Sequence, residues 1–329
     1  MNETSPKISV IISVFNSERY LFEALESIRK QSFKDFECII INDGSNDKSK
    51  DIINKFVNSD IRFILIDSMN EGTGKALNKG ILKARSEIIA RMDADDISHP
   101  ERLKIQYHEF SKHAKLDVLG SNAIKINQNG AKIGKIREFK SNNLCQLKVF
   151  FCAVPFVHPT TMIRKEVLKD IGLYPDLSRA QDYVLWNRLY LKAHFRNLNL
   201  NLLQYRVHSN QTTVQPNNYN ILNRQYEIHL ERLSEHNIKL VFNDFVFLHN
   251  WRETNKGLLL KSQIIQLIKK MFKAYSSDHK LKFTEKISAY LFLVKIILKQ
   301  QILLKFKSIG TSINGFFSIF FLVFFTRSH

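Results

Sequence analysis

One acidic stretch constrains this chain more than any other feature. Residues Glu87 to Asp96 run Glu-Ile-Ile-Ala-Arg-Met-Asp-Ala-Asp-Asp, so an apolar segment ends in three carboxylates. The segment is too short for a helix of its own and predicts a buried strand. Ser98 and Glu101 have the spacing of a capping box, so a helix is expected to begin there. The acids would then lie at the carboxyl end of a strand, where open α/β sheets bind their ligands.

Two of these acids, Asp93 and Asp95, are separated by a single small residue. Hard oxygen ligands at this spacing can hold Mg²⁺ or Mn²⁺ while the cation keeps water molecules and substrate phosphates as its other ligands. An acidic turn that only caps the next helix has the same local sequence. The rest of the sequence is therefore needed to distinguish a metal site from a helix cap.

The chain before this stretch alternates between apolar runs and amphipathic segments. Runs typical of strands that are covered on both faces occur at 7–14, 36–41 and 61–66. Segments with the apolar spacing of helices separate them. This alternation with short links predicts an α/β fold with a doubly wound, mostly parallel, Rossmann-like sheet. A further acid, Asp43, follows the second run, so two strand ends carry carboxylates.

The two acidic loops also exclude some functions. Neither loop contains G-x-G-x-x-G, and G-x-x-x-x-G-K-[ST] does not occur in the sequence, which argues against a dinucleotide dehydrogenase and a P-loop phosphotransferase. A carboxylate near a nucleobase can accept a hydrogen bond from a ring N–H, and a metal can neutralise a diphosphate. The pair of acidic loops therefore predicts a nucleoside-diphosphate ligand.

Five ordered motifs resemble those of family 2 glycosyltransferases, which have the GT-A fold. They are Val10–Asn16, Ile41–Ser45, Asn70–Gly72, Leu77–Gly80 and Ala90–Asp96. The resemblance covers about residues 6–213. It implies an inverting, metal-dependent transfer of a sugar from a nucleotide sugar, with uracil as the expected base.

The resemblance also implies roles for residues on the donor side. Phe15, Asn16 and Asp43 are expected to contact the nucleotide. Asp93 and Asp95 are expected to hold the ribose and the diphosphate, with Asp95 as a ligand of Mn²⁺ or Mg²⁺. A histidine late in the domain can complete the metal or diphosphate site, and His208 has that position. A purely structural role for His208 is the alternative.

The acceptor side is expected around Asp182, which opens a segment with helical spacing. Taken alone, Asp182 is a helix-start acid near the positive end of the helix dipole. The segment resembles the family's Glu-Asp dipeptide, whose second acid is the catalytic base, and Gln181 replaces the first acid. Gln181 and His158 are therefore candidates for acceptor contacts, although His158 can equally serve in a hydrogen bond at a strand edge.

Charge and apolar content change after the catalytic segment. The net charge of the chain is +18, and residues 251–329 hold 14 Lys and Arg against 3 Asp and Glu, which gives +11. The stretch 308–326 has no charged residue. We expect a catalytic domain at 1–215 and a helical region at 216–329, with helices at 219–235, 258–274 and 286–307. The tail is expected to lie on the cytoplasmic face of an anionic membrane as a peripheral or interfacial anchor, and a helical hairpin packed on the catalytic domain is the alternative.

The sequence therefore predicts a cytoplasmic glycosyltransferase that acts on a glycan or lipid-linked glycan of a surface polysaccharide. The N-terminus has no signal-peptide pattern, and the three cysteines have no metal-ligand spacing. One alternative is a catalytically inactive protein that only binds sugar nucleotides. The other is a basic nucleic-acid-binding protein, but the sequence contains no motif that reads RNA or DNA, so nucleic acid is not an expected partner.

Overall fold

The computed structural model describes residues 5–151, 153–177, 180–209, 211, 219–234, 237–238, 261–278 and 289. The chain divides into two compact units, one formed by 1–145 with 154–217 and one formed by 146–153 with 218–329. Each unit is described by itself.

The first part of the sheet in the first unit is parallel. Its strands, in the spatial order β3-β2-β1-β4, are β1 (Ile8–Val14), β2 (Phe36–Asp43), β3 (Phe63–Ser68) and β4 (Ile88–Asp93). The helices between them are α1 (Glu18–Arg29), α2 (Ser49–Ser59) and α3 (Thr73–Lys83). The predicted alternation is confirmed, because β-branched runs form the strands and segments with a single apolar stripe form the helices.

The rest of the sheet is mixed. Its strands are β5 (Ile97–Ser98), β6 (Val118–Asn127), β7 (Lys132–Ile136), β8 (Met162–Arg164) and β9 (Phe195–Val207). The order continues β4-β8-β6-β9-β5, with β7 paired to β6. Strand β8 is antiparallel to both of its neighbours, whereas β6 and β9 are parallel. The remaining elements before residue 190 are α4 (Arg102–Lys112), α5 (Asn142–Phe150), a 3₁₀ turn (His158–Thr160), α6 (Lys165–Asp170) and α7 (Gln181–Leu189).

The predicted capping box at Ser98 is wrong. Ser98 belongs to β5 and pairs with Leu203 of β9. Its backbone N–H donates to Ser27 Oγ at 3.0 Å, and its hydroxyl accepts from Gln31 Nε2 at 3.2 Å. Helix α4 begins only at Arg102, and its N-cap makes no side-chain hydrogen bond. Strand pairing with a distant segment therefore overrides the local capping pattern.

Close packing between α3 and the sheet requires a glycine. A Cβ atom on Gly80 would lie 2.6 Å from Cδ1 of Ile41 and 2.7 Å from Cγ2 of Ile11. Both isoleucines are buried members of the central strands β2 and β1. A side chain at position 80 would therefore displace either α3 or these two isoleucines.

The second unit contains α8 (Tyr219–Ser234) and α9 (Lys261–Asp278), near the helices predicted at 219–235 and 258–274. Phe150 packs on Tyr275 with their ring centroids 5.4 Å apart. The helix predicted at 286–307, apart from residue 289, and the uncharged stretch at 308–326 lie outside the described residues. Within the described part of the chain, no helix has the length and apolar character needed to cross a membrane.

Candidate active site

Three carboxylates meet at the carboxyl end of β4. Asp93 is the last residue of this strand, and Asp95 and Asp96 follow in the turn before β5. One ligand oxygen from each of the three lies within 4.8 Å of the others. Asp96 is fully buried, whereas Asp93 and Asp95 remain partly accessible. The prediction that these acids lie at the carboxyl end of a buried strand is confirmed.

Arg91 is the cation that faces Asp93. Its Nη1 donates to Asp93 Oδ2 at 2.6 Å, and its Nη2 pairs with Asp93 Oδ1, so the guanidinium binds both carboxylate oxygens. Burial nevertheless raises the pKa of Asp93 to about 6, because desolvation outweighs the attraction of Arg91 and the charge of Asp95 adds to the rise. Sequence reasoning gave Arg91 no role, although an arginine two residues before an acid on the same strand face is the available signal.

Arg206 of β9 holds the turn that carries the other two acids. Its backbone N–H donates to Asp96 Oδ1 at 2.8 Å, and its Nε donates to the backbone carbonyl of Asp95 at 2.8 Å. The guanidinium also pairs with Glu23 and lies 4.5 Å from the centroid of the Tyr20 ring. This arginine was missed because its partners are more than 100 residues away in sequence.

His208 lies beside the same acids. Its Nε2 is 2.9 Å from Asp95 Oδ2, and its ring centroid is 5.1 Å from that of Tyr20. The structure therefore brings together Asp95 and His208, the two residues that the resemblance assigned to one metal site.

The composition of the cluster fits a divalent cation. Asp96 Oδ2 is buried and accepts no hydrogen bond from any described residue. Burial, followed by the charges of Asp95 and Asp93, raises the pKa of Asp96 well above its ordinary value. A buried oxygen without a donor, beside Asp95 and one imidazole nitrogen, is a donor set that Mg²⁺ or Mn²⁺ accepts.

Asp43 ends β2 in a different environment. Its Oδ1 accepts from the backbone N–H of Glu71 at 3.0 Å, and its Oδ2 accepts from that of Gly72 at 2.8 Å. The residue is only 3% exposed. Asp43 therefore fixes the loop that leads into α3, a contact that sequence reasoning did not foresee.

Phe15 and Asn16 follow β1, between the ends of β2 and β4. Asn16 has a positive φ of 47°, and its Oδ1 accepts from the backbone N–H of Asn46 at 2.9 Å. Phe15 is 47% exposed. The turn after β1 is thus tied to the turn after β2, while the Phe15 ring stays available to a ligand.

Asp182 lies in the first turn of α7, as the sequence predicts, and Gln181 opens the helix. Asp182 Oδ1 accepts from the backbone N–H of Tyr183 at 2.8 Å. Burial raises the pKa of Asp182, and the Tyr183 N–H and the charge of Arg91 oppose the rise. The charge of Asp182 in turn contributes to the raised pKa of Asp93. Asp182 and the three-acid cluster therefore share one electrostatic environment.

His158 belongs to the 3₁₀ turn rather than to a strand edge. Its Nε2 lies 2.8 Å from the hydroxyl of Tyr174. Burial, followed by the positive charge of Arg91, lowers the pKa of His158 well below its ordinary value. His158 is therefore a neutral imidazole near neutral pH, with one nitrogen already bonded within the protein.

Comparison with known proteins identifies the class to which this site belongs. The model of the family described as Glycosyl transferase family 2 matches residues 9–172. An uncharacterized glycosyltransferase of Methanocaldococcus jannaschii is 34% identical over 223 residues, which cover 67% of this chain and 74% of the relative. WbnJ, an O-antigen biosynthesis glycosyltransferase of Escherichia coli, is 32% identical over 209 residues, which cover 62% of this chain and 81% of WbnJ.

A solved structure shares the fold. The crystal structure of S. aureus TarS 1-349 in complex with UDP-GlcNAc superposes with a TM-score of 0.60 and 22% identity, over 82% of this chain and 81% of that chain. The α/β sheet is therefore of the GT-A type. The chain is a glycosyltransferase. It belongs to glycosyltransferase family 2.

Proposed function

We propose that this glycosyltransferase transfers a hexose or N-acetylhexosamine from a UDP-sugar to an acceptor hydroxyl, with inversion at the anomeric carbon. The observation that carries this proposal is the meeting of Asp93, Asp95 and Asp96 at the end of β4, in one electrostatic environment with Asp182. Such a site offers oxygen ligands for a charged donor and a separate base for the acceptor.

The donor side consists of residues from the strand ends. Phe15, Asn16 and Asp43 contact the nucleoside, and Asp93, oriented by Arg91, accepts from hydroxyl groups of the donor. Asp95, Asp96 and His208 would hold Mg²⁺ or Mn²⁺. A divalent cation at this position, when bound, neutralises negative charge on the diphosphate.

The chemical step is a single displacement. The acceptor oxygen forms a bond to the anomeric carbon while the bond from that carbon to the diphosphate oxygen breaks, and the nucleoside diphosphate leaves with the electron pair. Asp182 takes the proton of the acceptor hydroxyl. The acceptor attacks from the face opposite the leaving group, so the configuration inverts.

The environment of Asp182 suits this role. An ordinary aspartate, with a pKa of about 3.9, is a weak base for a hydroxyl. Burial raises the pKa of Asp182 and so makes its ionised form more basic. Because the base must be ionised, the rate should fall as the pH drops through this raised pKa.

The known proteins support the substrate classes. TarS has been crystallised with UDP-GlcNAc and with UDP. WbnJ is described in O-antigen biosynthesis, and AmsE of Erwinia amylovora in amylovoran biosynthesis. By analogy, the acceptor is a glycan or a lipid-linked glycan of a surface polysaccharide. We further propose that the catalytic domain ends near residue 215 and that the basic tail of the region 216–329, with a net charge of +11 over 251–329, binds the cytoplasmic face of an anionic membrane.

A panel of nucleotide sugars tests the proposal. The purified full chain is incubated with each donor, an acceptor extract, and Mn²⁺, Mg²⁺ or EDTA, and released nucleoside diphosphate is measured. Release with a UDP-sugar that EDTA abolishes supports the proposal. UDP binding without turnover would identify an inactive sugar-nucleotide binder. Salt-sensitive binding to arbitrary DNA without UDP binding would favour the nucleic-acid alternative.

A further inference from the structure

Helix α3 holds the loop that contains Tyr174, and this loop contacts His158, one of the candidates for acceptor contacts. The side-chain amide of Asn78 makes two hydrogen bonds to the backbone of one residue, Tyr174. Asn78 Nδ2 donates to the Tyr174 carbonyl at 2.9 Å, and Asn78 Oδ1 accepts from the Tyr174 N–H at 2.9 Å. A side chain that binds both polar groups of one residue fixes the position of that residue and the direction of its peptide groups.

The neighbouring residues bring the helix and the loop even closer. A Cβ atom on Gly74 would lie 2.7 Å from the backbone oxygen of Pro175, so only glycine permits this approach. At the next position, Lys75 Nζ lies 3.0 Å from Asp176 Oδ2, in a pair whose side chains are exposed. The loop therefore rests on α3 over three consecutive residues, with Asn78 supplying the inner contact.

The side chain of Tyr174 extends this contact to α7. Its hydroxyl bonds His158 Nε2 at 2.8 Å. The His158 ring packs near two aromatic rings, with its centroid 5.6 Å from that of Tyr174 and 5.7 Å from that of Trp186. Trp186 is four residues after Asp182 on α7, so both side chains project from the same face of that helix. A continuous row of contacts thus leads from Asn78 to the helix of the proposed base.

We propose that Asn78 is a positioning residue for the transfer reaction: by clamping Tyr174 it holds the Tyr174–His158–Trp186 wall, on which α7 presents Asp182 to the acceptor. The inference rests on the proposed function. It adds to that function because it makes Asn78, on α3, responsible for the alignment of Asp182. Helix α3 starts at the loop that Asp43 binds on the donor side. The same helix is fixed at its beginning by Asp43, which accepts from the N–H of Gly72.

The electrostatic environment of Tyr174 agrees with this placement. Tyr174 is 4% exposed. Burial raises the pKa of its phenol, Arg91 opposes the rise, and the charges of Asp182 and Asp93 add to it. The hydroxyl therefore stays protonated. Its pKa is influenced by Arg91 and Asp93 on the donor side and by Asp182 on the acceptor side.

The test separates alignment of the base from binding of the donor. Asn78→Ala should lower kcat at least tenfold while the Kd for UDP, measured by calorimetry with Mn²⁺, stays within twofold of the unaltered chain. Tyr174→Phe keeps the backbone clamp but loses the bond to His158, and it should lower kcat several-fold. Lys75→Ala, on the same helix and against the same loop, is the matched control and should leave kcat within twofold.

A spectroscopic readout makes the test independent of turnover. The chain has two tryptophans, so in a Trp251→Phe background Trp186 is the only indole. Trp186 is 1% exposed. Asn78→Ala should increase its quenching by acrylamide, whereas Lys75→Ala should not.

Several outcomes would overturn the inference. A kcat within twofold of the unaltered chain and unchanged quenching in Asn78→Ala would do so. So would a loss of UDP affinity as large as the loss of kcat, because Asn78 would then only support the donor loop. If Asn78→Ala does not fold, full activity in Tyr174→Phe contradicts the role of the wall. Absence of UDP binding and turnover in the unaltered chain would reject the proposed function instead, and the quenching result alone would then decide whether Asn78 holds the wall.

Discussion

The carboxyl ends of β2 and β4 both present carboxylates, but they satisfy them differently. At the end of β2, each oxygen of Asp43 accepts a backbone N–H from the loop before α3. At the end of β4, Asp93 has its pKa raised to about 6 in spite of Arg91, and Asp96 keeps one buried oxygen without a donor among the described residues. The first end is complete without a ligand, whereas the second holds charge that a ligand would relieve.

This difference separates two uses of an acid at a strand end. A carboxylate with both oxygens bonded contributes to the stability of the fold and also offers its remaining lone pairs to a ligand. Crowded carboxylates lower stability at neutral pH, and natural proteins accept such local costs mainly at functional sites. The following substitutions are ways to test this contrast, beginning with the largest expected effect.

Asp182→Asn should reduce kcat by about 10²- to 10⁴-fold, the usual contribution of a general base, and should leave UDP binding within a few-fold. Asparagine keeps the oxygen that accepts from Tyr183 but cannot take a proton. Single-turnover rates and UDP titrations measure the two effects. A variant that retains more than about a tenth of the activity would remove Asp182 from this role and confine the functional acids to the end of β4.

Asp95→Asn should weaken UDP binding at least tenfold in the presence of Mn²⁺, about 1.4 kcal/mol, and should leave binding in EDTA unchanged. Without a metal, asparagine can still accept a hydrogen bond from His208, so a loss confined to Mn²⁺ reports the missing charge. Calorimetric titrations with Mn²⁺ and with EDTA provide the measurement. Equal losses under both conditions would show that Asp95 acts on the nucleotide directly.

Asp43→Ala should affect both stability and binding. The backbone N–H groups of Glu71 and Gly72 would lose their carboxylate acceptor. A hydrogen bond to a charged group contributes about 1.5–3 kcal/mol, so the free energy of unfolding in urea should fall by about this amount. UDP binding should weaken equally with Mn²⁺ and with EDTA, unlike in Asp95→Asn. Unchanged stability would show that water replaces the carboxylate. The conclusion that the acid at the end of β2 stabilises the fold would then be wrong.

The sequence predicted the part of the sheet that is formed by β1 to β4, where the apolar runs are long. The β-branched runs before Asp93 have one consistent explanation, a parallel sheet, and the structure confirms it. The short strands were not predictable in the same way. Two residues form β5 and three form β8, and such lengths carry no periodicity. Their positions are decided by pairing with distant strands, as the failed cap at Ser98 shows.

The candidate site was predictable in part for a related reason. Asp93, Asp95 and Asp182 follow local patterns that a family resemblance can assign. The groups that orient them do not. Arg206 reaches Asp95 and Asp96 across 111 and 110 residues of sequence, and Asn78 reaches Tyr174 across 96 residues. No local sequence pattern predicts these bonds, because they form only when distant segments of the chain meet in the folded protein.

The smallest expected effect concerns Asp96 and has the opposite sign to that of Asp43. Asp96→Asn should raise the free energy of unfolding at pH 7 without metal by about 1 kcal/mol, since it removes a negative charge that burial and the neighbouring charges of Asp95 and Asp93 disfavour. In a two-state domain of this size, that corresponds to an increase in Tm of about 2–4 °C. Asparagine keeps the oxygen that accepts from the Arg206 N–H, so the known hydrogen bond at this position is preserved.

The pH dependence of this effect follows from linkage. The folded-state pKa of Asp96 lies above its unfolded value, so the folded state binds more protons, and the unaltered chain loses stability as the pH rises between the two values. The advantage of Asp96→Asn should therefore vanish at the low end of that range, near pH 4, and be full once the pH exceeds the raised pKa. Added Mn²⁺ should stabilise the unaltered chain more than the variant, because a bound cation relieves the cost that the substitution removes. Thermal unfolding at several pH values, with and without Mn²⁺, measures all three effects. A variant less stable than the unaltered chain in EDTA at pH 7 would show that the Asp96 carboxylate is satisfied without a cation. The acids at the ends of β2 and β4 would then both be complete without a ligand.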